Sequence, residues 1–423
     1  MHPLTKIIKE DMKPALGVTE PGAIAFAVAK AKSYTKGEVN QVEVTLSSGI
    51  YKNAFTCGIP NTKEVGNSYA AALGAVAADC EKGLEALEEI TEEDNQKAKV
   101  LLESGKITVR RGEITSRISI KARVQAGKDE AVVTIKDSHI NITKITQNGK
   151  TLFEKAEENE AEISAPLIHQ YTLEELYRYA VEVDVEELQF IKEAFQVNLE
   201  LFQEALKMER SVFTKHLLKE NGNQIFSKDE RKSASLLCNG AIEARVLGLN
   251  KPAMSITGSG AHGIIATLPL YASYKVCKYE EEKLLRATAL SCLICMYIKE
   301  YSGKLSAFCG CAIAAGTGMA CGLVLLRGGG TREMTDTINN MAGSITGMIC
   351  DGGNQGCTMK GVIAVDGAMR SVDFAMEHAA VGGIHGINGD TPEETMRNMG
   401  RIASPGMEQT EEIIIRIMEE KKI

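Results

Sequence analysis

The spacing of apolar and polar positions changes character along the chain. Residues 1–16 are amphipathic with helical spacing until Gly17, and Thr19-Glu20-Pro21 marks a second helix start, so 1–35 is expected to be helical. Val42, Val44 and Leu46 then alternate with polar residues, which predicts a strand over 41–48. The stretch 51–62, YKNAFTCGIPNT, reads as a loop or irregular strand, 70–80 as an Ala-rich helix, and 91–104 as a helix stopped by Gly105. Two-residue alternation returns over 107–155, with Ile118, Ile120, Ala122 and Val124 on one face and a hairpin turn at Asn148-Gly149. From Thr172 onward the period is helical, as at Leu199, Phe202 and Leu206. Capping boxes are expected at Thr172/Glu175 and Ser227/Glu230, and a further start at Thr391-Pro392-Glu393-Glu394. The apolar runs of 283–326 suit buried, closely packed helices. No strand–helix–strand succession and no repeat is read. The expectation is an α+β chain: a mixed α/β domain over 1–165, an all-helical domain over 166–423, and a boundary in the polar run 154–166.

Composition narrows the function class. The net charge of −8 comes with no basic stripe, so nucleic acid is not an expected partner. No run reaches the ~18 charge-free apolar residues of a membrane span, and the first residues lack a signal peptide's apolar core. Eleven cysteines, an odd number, make a disulfide framework improbable and point to a reducing cytoplasm. Eight of them fall between Cys277 and Cys357, a clustering that calls for a metal centre or a small-residue core.

Three candidate groups stand out. Cys309, Cys350 and Cys357 lie in glycine-containing segments, and three thiolates from two loops suffice for three irons of a 4Fe-4S cluster, leaving the fourth iron open. The alternative is free core cysteines, which is the reading adopted for Cys277, Cys292, Cys295, Cys311 and Cys321. Thr257-Gly-Ser-Gly-Ala-His-Gly263 precedes an apolar run, so its amides, at Ser259 and Gly260, suit an anion at a helix start, with His262 as an acid–base group; a tight turn is the plain alternative. Thr19 and Glu20 begin a helix, where Glu20 serves as a base or merely as a cap. A pyridoxal-phosphate enzyme would need a lysine in a suitable context, and none is evident.

KPALGVTEP, KNAF with IPNT, TGSGAHGIIAT, SAFCGC, GMICDGGNQGCTMK and SPGMEQTEEII occur in order over nearly the whole chain. Together they resemble the L-cysteine desulfidases, which share their helical domain with the iron–sulfur L-serine dehydratase alpha chain. The resemblance implies an oxygen-sensitive 4Fe-4S cluster on Cys309, Cys350 and Cys357. Beside it, Thr19, Asn53, Ser259 and Gly260 are the expected substrate contacts, and Glu20 and His262 the reserve bases expected as catalytic groups. One position departs: Val18 stands where that family shows Cys. The expected activity is β-elimination of L-cysteine to pyruvate, ammonia and sulfide. An L-serine dehydratase-like deaminase, or a non-catalytic oxygen-sensing member, is the alternative that Val18 keeps open. The expected partner is a small amino-acid substrate, and a homodimer is open as the assembly.

Overall fold

The computed structural model describes residues 1–156 and 166–421. The eight strands in the described residues are β1 (Lys13–Leu16), β2 (Val39–Leu46), β3 (Ile107–Arg111), β4 (Ser119–Ala126), β5 (Asp129–Lys136), β6 (Ile142–Gln147), β7 (Lys150–Glu154) and β8 (Pro252–Ser255). Six form one sheet in the order β3-β2-β4-β5-β6-β7, and β1 pairs antiparallel with β8. Helices make up most of the rest, so the fold is α+β as expected. Much of the anticipated boundary run lies outside the described residues.

The sheet is a half-buried layer. Ile120, Ala122 and Val124 of β4 and Ala131, Val133 and Ile135 of β5 all point inward and are fully buried. The helix Thr19–Ser33 packs on that face and is itself covered by Asn67–Val76, which is why it is apolar nearly all round. The outer face is wet, and Arg123 spans it to Glu43 at 2.7 Å and Glu130 at 2.6 Å. Asn148 and Gly149 close the β6–β7 hairpin with φ of +49° and +78°, the backbone that a two-residue primed turn requires.

Several expectations are corrected. Residues 13–16 are a strand rather than the end of a helix, because β8, more than two hundred residues on, supplies the hydrogen-bond partner. The stretch expected as a loop begins as the helix Ser48–Ala54. A strand–helix–strand crossover does exist: β2 and β3 run parallel, and the helices between them make the connection. At Glu230–Val246 the cap is Asp229, accepting from Lys232 N, so Ser227 and Glu230 form no capping box. Thr172 and Glu175 do form theirs. Cys277 is exposed rather than core, and Cys311 is half-buried on a cavity wall. Cys292, Cys295 and Cys321 are buried, as expected.

Among the described residues no helix is long and apolar enough to cross a membrane.

Candidate active site

Two distant loops meet through their backbones. Cys309 N–H donates to Met348 O at 3.0 Å, and Cys350 N–H donates to Ala307 O at 2.6 Å, around an isolated antiparallel bridge between Phe308 and Ile349. In such a ladder alternate residues share a face, so Cys309 and Cys350 stand on the same side as diagonal neighbours. Cys357 begins the helix Gly356–Met376, and its thiol lies 3.4 Å from Gly352 O. The loop between Cys350 and Cys357 presses on the N-terminal region. A Cβ on Gly353 would come within 2.9 Å of Asn53 O and 3.0 Å of Val18 Cγ1. Cys350 and Cys357 face a cavity of about 230 Å³ enclosed between the sheet's β5–β6 turn and the helices.

One wall of this cavity is anionic. Glu20 is buried; Asn53 Nδ2 donates to its Oε1 at 2.8 Å and Thr19 Oγ1 to its Oε2 at 3.1 Å. Burial alone would raise its pKa, but His139, Asn53 and the Arg245 charge outweigh that and hold the carboxyl at about 2. Asn53 also accepts from the Cys350 thiol at 3.8 Å, so one amide connects the carboxylate to the cysteine loop. His139, from the turn after β5, places Nε2 3.7 Å from Glu20 Oε1, beyond hydrogen-bond reach.

Cationic groups line the same cavity. Arg245 is buried near the end of Glu230–Val246, and its Nε has no hydrogen-bond partner. Gly260 makes room for it: a Cβ there would lie 2.8 Å from that Nε. Lys299 is buried and donates to Gly303 O at 2.8 Å; burial pushes its pKa down. His262 lies between them. Burial, then Lys299 and Arg245, lower its pKa to about 3, so it is neutral near pH 7. Thr257 Oγ1 donates to Ile256 O at 2.8 Å and stands 2.6 Å from His262 Nδ1. Thr257 thereby anchors the ring through Nδ1. Nε2 points at Gly310, whose Cβ, if present, would sit 2.8 Å away. The neutral histidine therefore abuts the Cys309–Cys311 segment. Asp11 fixes the turn behind it by accepting from Thr257 N at 2.5 Å.

The thiols suit a soft cofactor. Burial raises the pKa of Cys350, and burial with Cys350 raises Cys357 to about 11. A hydrogen bond to Cys311 and burial raise Cys309. A soft metal centre would displace those protons, and cations wait to balance the thiolates: Lys52 beside Cys350, and Lys360 beside both Cys350 and Cys357. Lys360 is held by Asp351, and buried Lys52 by Glu411 at 2.6 Å. Among the described residues no three Cys, His, Asp or Glu side chains converge on a single metal ion. A cluster spreads its thiolates over separate corners, so a paired-loop arrangement with countercharges fits it better than it fits one ion.

Of the residues anticipated from sequence, Glu20, Asn53, Ser259, His262, Cys350 and Cys357 line the cavity. Thr19 supports Glu20 from behind, Gly260 accommodates Arg245, and Cys309 lies behind Cys311 on the wall. His139, Arg245, Lys299 and Asp11 were missed. His139 follows a strand and Arg245 ends a helix, where ordinary turn and dipole roles hide a functional one.

A model of the serine dehydratase alpha chain family matches residues 81–416. That span holds His139, Arg245, His262 and the three cysteines; Val18, Glu20 and Asn53 precede it. The chain is 40% identical over 425 residues to a UPF0597 protein of Clostridium botulinum (strain Langeland), covering 98% of each. It is 39% identical over 422 residues to a UPF0597 protein of Caldanaerobacter subterraneus, covering 99% of this chain and 98% of that one. A UPF0597 protein of Clostridioides difficile is 33% identical over 419 residues, with 98% of each covered.

Proposed function

This chain belongs to the serine dehydratase alpha chain family, and on that premise we propose that it is an iron–sulfur lyase acting on a small amino acid. The reaction is β-elimination of L-cysteine to sulfide and aminoacrylate, which hydrolyses to pyruvate and ammonia. L-Serine is the alternative substrate, favoured by one observation: Val18 lines the cavity where the desulfidases show a thiol. The observation that carries the reading is the cavity's polarity. An amino acid is a zwitterion, and the cavity is lined both by Arg245, with an unsatisfied Nε, and by an ionised Glu20.

Arg245 binds the substrate carboxylate, and Glu20 the α-ammonium. A carboxyl held at about 2 is a poor proton acceptor, so its use here is electrostatic. Asn53 keeps it in place, and Ser259 lines the cavity at the start of Gly260–Cys277. A 4Fe-4S cluster held by Cys309, Cys350 and Cys357 would supply Lewis acidity at an open iron toward the leaving group. His262 presents Nε2 toward Gly310, on the cysteine side of the cavity.

Anaerobic purification with iron and sulfide counts, followed by pyruvate assays on L-cysteine and L-serine, tests this. About four irons per chain and turnover of either substrate is the expected result. An iron-free protein inactive on both would defeat the proposal.

A further inference from the structure

We infer that His139 is the general base that removes the substrate's α-proton, with Glu20 as its fixed counter-ion. This deepens the lyase reading above and rests on it.

Three groups at the cavity are candidates for the base. Glu20 is already committed as an anion and is hydrogen-bonded on both oxygens. His262 is neutral, but burial, Lys299 and Arg245 all oppose a positive charge on it. His139 has the reverse surroundings. Its side chain is 9% exposed, its Nε2 has no hydrogen-bond partner, and the nearest charge is the Glu20 carboxylate at 3.7 Å. An unpaired polar atom this deeply buried costs stability unless something occupies the space before it. At 3.7 Å from Glu20 Oε1 that nitrogen is outside hydrogen-bond reach, with an anion at hand to balance an imidazolium. Protonation of Nε2 gives that nitrogen a hydrogen and the pair an attractive charge.

The position follows from the same residues. With the α-ammonium on Glu20, the α-carbon is one bond from that nitrogen, and Nε2 lies 3.7 Å from Glu20 Oε1. His139 comes from the β5–β6 turn and its ring lies 3.8 Å from where a Cβ on Gly258 would stand, so the sheet delivers it against the Thr257–Gly260 turn. In the step, the Cα–H bond breaks and its proton goes to Nε2. The bonding pair becomes the Cα–Cβ π bond as the Cβ–S or Cβ–O bond breaks, and the leaving group departs with that bond's pair. The imidazolium then gives its proton to the departing sulfide or hydroxide, so that the balance is aminoacrylate plus H2S or water and a neutral His139.

The test is His139→Gln, which keeps a polar side chain without a proton-accepting nitrogen. It is made in the anaerobically prepared holoenzyme and compared with the wild type on whichever of L-cysteine and L-serine turns over. The expected result is a kcat lower by about 100-fold or more, an unchanged Kd for L-alanine, which has no leaving group, and partial recovery with added imidazole. Solvent deuterium entering Cα of L-alanine should fall in parallel. A kcat equal to the wild type's overturns the assignment, as does a loss accompanied by equal loss of L-alanine binding. Failure of the wild type to turn over either amino acid removes the lyase reading itself, and this role with it.

Discussion

The two walls of the cavity show how one pocket holds imidazoles in opposite electrostatic settings. On the sheet side, His139 faces the ionised Glu20. On the helical side, His262 faces Lys299 and Arg245, and burial with those charges holds it neutral down to about pH 3. The residue type is the same, yet one histidine is placed to accept a proton and the other to refuse it. The lesson is that neighbours, contributed by elements far apart in sequence, set the role of a titratable group.

The largest effect should come from removing the centre that both walls share. Cys350→Ser is expected to abolish iron retention and elimination together; iron counts and the pyruvate assay read both, and an iron-replete, active variant would refute the cysteine assignment. Next, Arg245→Met removes one of the two cations beside His262 and leaves Glu20 in place. KM should rise about tenfold to a hundredfold, as for loss of a hydrogen bond to a charged group, while Glu20→Gln should instead depress kcat as well. If R245M leaves KM unchanged, the carboxylate does not bind there.

Gly310→Ala is expected to cost about 1–3 kcal/mol in denaturant unfolding, because the new methyl would lie 2.8 Å from His262 Nε2 and 3.1 Å from Lys299 Cδ. Unaltered stability would mean that the helical wall yields freely.

The pH dependence of stability separates the walls further. His262 is depressed from its ordinary 6.5 to about 3, so the unfolded chain binds a proton there that the folded chain does not. Its contribution is complete above pH 6.5 and is lost as pH falls toward 3. Glu20, depressed from 4.5 to about 2, contributes above 4.5 and is lost toward 2. Thermal melts should therefore decline on acidification from pH 6.5, and His262→Gln should flatten the upper part of that decline. The smallest change is Val18→Cys. It should leave stability nearly intact and shift the ratio of L-cysteine to L-serine turnover, and an unchanged ratio would show that this position does not select the leaving group.

Much of this was legible in the chain. Period-two alternation marked β4 and the 148–149 hairpin, capping boxes marked helix starts, and SAFCGC with GMICDGGNQGC marked the cysteine loops. Those are local signals, written in neighbouring residues. Two of the misreadings were nonlocal. KPAL becomes a strand only because β8 lies beside it, and Cys311 reads as core until the fold exposes one side of it to the cavity. So the sequence by itself determined most of the secondary elements and the residue types available for chemistry, since period, caps and turns act over a few residues. Only the tertiary structure decided that Glu20, His139, Arg245 and His262 share one pocket with opposite charges on its walls, because burial and long-range charge are properties of the packed chain.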